Sequence, residues 1–163
     1  MLLSSIGTSA FAACGGTAIT WDGSSSTAWA TAANWTPANA PNTATEDAIL
    51  VSATRVPAAN ASTAFGCLQV NSGQLTAATN GVTFTVNGDY FRALNLNSLN
   101  VTAGRTFTIA MAGTAAQTLE VVDPINYVTI SNNSTVTFTN SFDIRNTLVF
   151  TGSGTTLNIN ADT

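Results

Sequence analysis

The chain has no histidine and no lysine, and only 7% of its 163 residues are charged. Without imidazole it lacks the usual proton shuttle and the commonest metal ligand, and without an ammonium it lacks an amine nucleophile. Serine is plentiful, but with no histidine or lysine base beside it neither a triad nor a dyad can assemble. The expectation is a protein that is not an enzyme and has no cofactor, no metal site and no catalytic residues. Its four cations, Arg55, Arg92, Arg105 and Arg145, are scattered along a chain of formal net charge −4. No basic stripe is there to displace counterions from a phosphate backbone, which argues against nucleic acid as a partner. Long apolar runs are missing as well. The apolar stretch within residues 1–13 is far short of the roughly 20 residues a transmembrane helix needs, so no transmembrane segment is expected. Convincing helical periodicity is also absent, and the alanine-rich residues 26–34 are too broken by Thr and Asn to exceed a turn or two.

What the sequence does have is threonine alternating with apolar residues. Val82, Phe84 and Val86 alternate with Thr83 and Thr85, Phe107 and Ile109 with Thr106 and Thr108, and Val136 and Phe138 with Thr135, Thr137 and Thr139. A period of two puts the apolar side chains on one face of a strand and the hydroxyls on the other. Uncharged Thr, Ser and Asn must therefore supply solubility, a composition that suits a secreted or cell-surface protein. Residues 1–13 end in small residues around Ala10, Phe11 and Ala12 and read as signal-like. An alternative is a strand-donating segment carried by Leu2, Leu3 and Ile6. The two cysteines, Cys14 and Cys67, suggest a disulfide in an exported protein. A lipid-bearing Cys14 or two buried free thiols are the rival readings.

At this length one domain with a real core is expected over residues 14–163. Residues 14–64 read as an irregular cap holding Trp21, Trp29 and Trp35 and three of the four prolines. Residues 65–163 read as repetitive strands. A weak repeat aligns Leu68-Gln69-Val70 with Leu99-Asn100-Val101 and Val128-Thr129-Ile130, with Gly and Asn at the corners where the chain must turn tightly. The pattern fits an all-β, right-handed parallel β-solenoid with an irregular Trp-rich N-terminal cap. An antiparallel, pilin-like β-sandwich is the alternative.

The block Trp21-Asp22-Gly23, Trp29, Ala33-Asn34-Trp35, Pro41 and Asp47-Ala48, followed by Gly-punctuated Leu-x-Val strands, resembles the start of large secreted β-solenoid surface proteins of the autotransporter-passenger and adhesin kind. The resemblance implies a surface role and brings no catalytic set.

Three site expectations follow from the residues. The three indoles either cap the first coil or, with Asp22 and Asn34, stack on and bind sugars, which would make surface glycans a partner. The Thr-x-Thr pairs, if stacked on one face, make a hydroxyl and methyl array like that of ice-binding solenoids. Finally, Leu157 and Ile159 lie in a strand pattern with no closing Pro or charge, an unguarded edge that invites a homo-oligomer or fibre or marks the start of a longer surface stalk. Adjacent Glu46 and Asp47 point to opposite faces of a strand and so cannot flank one bond, while Asp143 and Arg145 share a face as a surface ion pair.

Overall fold

The computed structural model describes residues 14–72, 74–93, 99–101, 105–122, 124–139 and 143–159. Within them the chain winds through β1 (Thr17–Trp21), a short 3-10 turn (Ala32–Asn34), β2 (Trp35–Thr36), β3 (Glu46–Leu50), β4 (Ala58–Ala59), β5 (Thr63–Phe65), β6 (Leu68–Val70), β7 (Leu75–Ala77), β8 (Val82–Val86) and β9 (Tyr90–Ala93). It continues through β10 (Leu99–Val101), β11 (Phe107–Met111), β12 (Gln117–Val121), β13 (Ile125–Ile130), β14 (Thr135–Phe138), β15 (Ile144–Phe150) and β16 (Thr156–Ile159). Three sheets result. The first has the order β16-β14-β12-β9-β6-β3-β1-β2, the second β10-β7-β4 and the third β15-β13-β11-β8-β5. Among the described strands every pairing is parallel except that of β2 with β1. Parallel pairing between strands one coil apart makes the fold a β-solenoid of about four turns, and sets aside the antiparallel sandwich.

Successive coils stack like on like. In the first sheet Ala48 pairs with Leu68, Leu68 with Phe91, Phe91 with Leu119, Leu119 with Phe138 and Phe138 with Ile159, steps of 20, 23, 28, 19 and 21 residues. In the third sheet Phe65, Val86, Met111, Ile130 and Phe150 form the matching column, with Phe84, Ile109, Val128 and Leu148 beside it. Apart from the last coil these residues are buried, and they form the continuous core. The alternation seen in the sequence is what drives them inward, since each strand offers its apolar set to the same interior. From β12 onward the described strands alternate between the first and third sheets only, so the cross-section narrows from three sides to two.

The repeat reads differently in space from its appearance in the sequence. Leu68–Val70, Leu99–Val101 and Val128–Ile130 belong to the first, second and third sheets respectively, so these look-alike segments do not stack on one another. The stacked register also begins upstream of residue 65, because β3 already pairs in parallel with both β1 and β6.

Tight corners make specific glycines necessary. A Cβ on Gly66 would collide with Asp47 Oδ1 and lie 3.0 Å from the Ala44 carbonyl oxygen. Gly66→Ala is therefore expected to cost roughly 1–3 kcal/mol in urea unfolding, the usual range for forcing atoms into a packed site. Gly154 has φ +86° but nothing within 4 Å of a built Cβ. Its Ala variant meets only backbone strain, about 1 kcal/mol.

Candidate functional site

The N-terminal end of the solenoid is filled by the three tryptophans. Trp21, Trp29 and Trp35 are 0%, 2% and 1% exposed. Trp35 stands edge-on to Trp21 with ring centroids 5.0 Å apart, and to Trp29 at 4.7 Å. Trp29 continues the stack onto Phe84 at 4.6 Å and Phe65 at 5.9 Å, and Phe84 passes it to Phe107 at 5.2 Å. Such tilted and edge-to-face pairs add to the burial energy of the rings. Two of the indole N–H groups are used internally: Trp21 Nε1 donates to the Arg55 carbonyl at 2.8 Å, and Trp35 Nε1 to the Trp29 carbonyl at 2.8 Å. No indole presents a face on which a sugar ring could stack.

The polar residues named beside them hold the cap together. Asn34 is fully buried, with its Oδ1 accepting from the backbone N–H of Ser25 and Ser26 at 3.0 and 2.6 Å. Its amide nitrogen donates to Ser26 Oγ and the Ala28 carbonyl, both at 2.9 Å. Asp22 is exposed and accepts from the Ser24 N–H at 2.8 Å and the Thr36 hydroxyl at 2.7 Å. Its carboxyl is held below the usual range, by the Thr36 hydroxyl first and Ser24 second. Arg55 ties the same loop down by donating to the Gly23 and Ser24 carbonyls at 2.7 and 2.9 Å.

Glu46 does a similar task in the turn before β3. Its carboxylate accepts from the backbone N–H of Asn42 at 2.9 Å and of Thr43 at 3.0 Å, and from the Asn39 side-chain amide. These bonds, Asn42 foremost, hold its carboxyl below the ordinary value against the opposing effect of burial. A depressed pKa means stabilisation present above the unfolded-state value and lost as pH falls through the folded one. Amides in residues 39–46 are thus expected to lose hydrogen-exchange protection as pH falls through and below the ordinary carboxylate range, and Glu46→Gln should flatten that dependence.

Cys14 and Cys67 form the disulfide, with Cα atoms 5.7 Å apart. It clips the segment at residues 14–16 across the outside of β3 and β6. The buried carboxylate of Asp47, 3% exposed, sits beside it and accepts from the N–H of Gly16 at 2.7 Å and of Cys67 at 2.8 Å. The strand alternation does place Glu46 and Asp47 apart, and Asp143 and Arg145 meet as an exposed pair at 3.4 Å. Sequence reasoning missed the corner ladder further along. Gln117 and Asn132 are 2% and 1% exposed, and Asn132 Nδ2 donates to Gln117 Oε1 at 2.8 Å. Gln117 Nε2 in turn donates to the carbonyls of Val86 and Gly88 at 2.9 and 2.6 Å, joining neighbouring coils through a polar corner.

The threonine pairs do not form one array. Thr83 and Thr108 pair in the third sheet, but Tyr127 follows them in the column, and Thr85 is followed by Ala110. Thr135 and Thr137 lie in the first sheet.

The opposite end of the solenoid is unlike the first. Among the described residues the last members of the core columns are Phe150 and Ile159, which are 47% and 56% exposed, although every earlier member is buried. Leu148 and Leu157 are partly covered beside them, and Val149 is 40% exposed on the outer face. Strands β15 and β16 are the edges of their sheets, each paired on one side among the described residues. This apolar rim, with two strand edges unpaired among the described residues, is the main candidate site. Of the sequence-named edge residues, Leu157 and Ile159 are at it, while Leu2, Leu3 and Ile6 lie outside the described residues. No described helix is long and apolar enough to cross a membrane. No family model matches the sequence, and no curated protein or solved structure shows significant similarity to it.

Proposed function

We propose that this protein is a non-enzymatic structural module of an extracellular or cell-surface assembly, joined to its neighbour through the open end of its solenoid, as in autotransporter-passenger-like or adhesin-like surface proteins. One observation carries the reading: columns buried through every coil surface at Phe150 and Ile159. An inward-facing residue left half in water at a strand edge is what a further coil would cover. Fully burying a side chain of this size is worth about 1.5–3 kcal/mol, so covering what remains exposed of each returns about half of that. The backbone groups of β15 and β16 offer the ladder that such a neighbour needs.

The charge pattern agrees. Among the described residues near this end, Asp143 and Arg145 pair with each other. A β-bulge lies in β15 where its register with β13 shifts, between the pairs Ile125–Ile144 and Tyr127–Thr147, so the regular edge is the stretch that ends at Phe150. The disulfide supports an oxidising location, since such bonds persist outside the cytosol. Sedimentation velocity over a concentration series tests the proposal. Association that Ile159→Asp abolishes, with the circular dichroism of the fold retained, is the expected result. A protein that stays monomeric at every concentration would overturn it.

A further inference from the structure

A buried carboxylate lies against the disulfide. A carboxylate oxygen of Asp47 and both sulfurs, Cys14 Sγ and Cys67 Sγ, are within 4.8 Å of one another. The carboxylate is pinned there. Its Oδ2 accepts from the N–H of Gly16 and its Oδ1 from that of Cys67, so each oxygen is tied to one of the two segments that the disulfide joins. Gly16 and Gly66 make room for this fit, since a Cβ on either would collide with Oδ1. Cys67 is 1% exposed and Asp47 3%, so solvent screens the charge from the sulfurs only weakly.

The way in carries the same sign. A groove of about 430 Å³ reaches Cys67 past Gly15, Gly66 and Gly88, with Asp47 and Asp89 among its lining residues and no arginine. Cys14 is half-buried, and the group donated to its sulfur is neutral, the side-chain amide of Gln69 at 3.2 Å. In the strand register Arg92 stands beyond Gln69, with Glu120 following it on the far side.

Reduction by a thiol starts when a thiolate bonds to one cysteine sulfur, the S–S bond breaks and its electron pair leaves on the other sulfur. A second thiolate then attacks the mixed disulfide and departs as the oxidised thiol, and the two cysteine thiolates take up protons from water. Whichever sulfur is attacked first, negative charge spreads over sulfurs that lie beside Asp47, and a like charge at this distance disfavours that state. The incoming reagent meets the same carboxylate. We infer that Asp47 guards the Cys14–Cys67 disulfide electrostatically, leaving it open to cationic thiols and resistant to anionic ones of the glutathione class.

Reduction rates of the intact chain by cysteamine, mercaptoethanol and mercaptoacetate test this. Each rate is expressed per thiolate and divided by the rate on an uncharged small-molecule disulfide. At about 0.15 M salt the screening length is about 8 Å, so the chain's distant carboxylates are damped and the one beside the sulfurs is not. The normalised ratio of cationic to anionic rates should be about tenfold or more, the effect of a like charge worth one pKa unit on a thiol. Asp47→Asn keeps the shape, loses the charge and should remove most of that factor. A variant reduced faster by all three thiols with the ratio unchanged would overturn the inference, because the carboxylate would then serve only to tie the chain down. A native chain with a normalised ratio near one would overturn it equally, whether or not the variant folds.

Discussion

Phe84→Ala is expected to lower the unfolding free energy by about 3–5 kcal/mol, the usual cost of removing a buried phenyl ring. Phe84 is fully buried, and its ring meets Trp29, Phe65 and Phe107 at centroid distances of 4.6, 5.3 and 5.2 Å. It is therefore the link between the tryptophan cap and the coils beyond. Rigid parallel strands on every side cannot collapse to fill the hole, which puts the cost in the upper part of that range. Urea unfolding followed by tryptophan fluorescence measures it. Trp29 lies against the cavity, so its emission should also shift to the red. A loss below 1 kcal/mol would mean that the aromatic stack does not hold the end of the solenoid.

The second large effect is loss of the disulfide. Cys14 and Cys67 are 53 positions apart in sequence, and a loop of that size stabilises by about 4 kcal/mol in the chain-entropy account. The bond crosses from the N-terminal segment to the start of β6, so its removal by a thiol reductant or by Cys14→Ser with Cys67→Ala should act first on the early coils. A solenoid couples mainly neighbour to neighbour, so the loss need not reach the far end. Hydrogen exchange should rise in β1, β3 and β6 and stay unchanged in β13. Equal loss of protection along the whole chain would show that the coils unfold as one unit.

How far the fold is legible in the sequence depends on which residues are asked. Val82, Phe84 and Val86 announce their inward face through alternation alone, and all three are buried. The phase of the coils is not legible. Threonine alternation looks the same on every side of the solenoid, and the coil length varies from 19 to 28 residues. Leu68, Leu99 and Val128 thus resemble one another while standing in three different sheets. The tryptophans illustrate a different limit. Their clustering is visible in the sequence, but whether an indole is turned inward to cap or outward to stack depends on where Asn34 fastens the loop. Gln117 and Asn132 were hidden for a simpler reason. In a chain rich in uncharged polar residues, nothing marks the two that point inward at a corner, and only the neighbouring Gly113 and Asn133 hint at a turn.

The open end was legible in outline, because an apolar strand with no Lys or Pro nearby is unguarded wherever it falls. The structure adds that, among the described residues, the half-exposed members of the core columns lie at the β15 and β16 edges. The most direct measurement is hydrogen exchange of the β15 and β16 backbone amides at low and high protein concentration, with β8 and β11 as internal references. Protection that rises with concentration in β15 and β16 alone is the predicted result. Exchange at these strands that is independent of concentration would contradict the account.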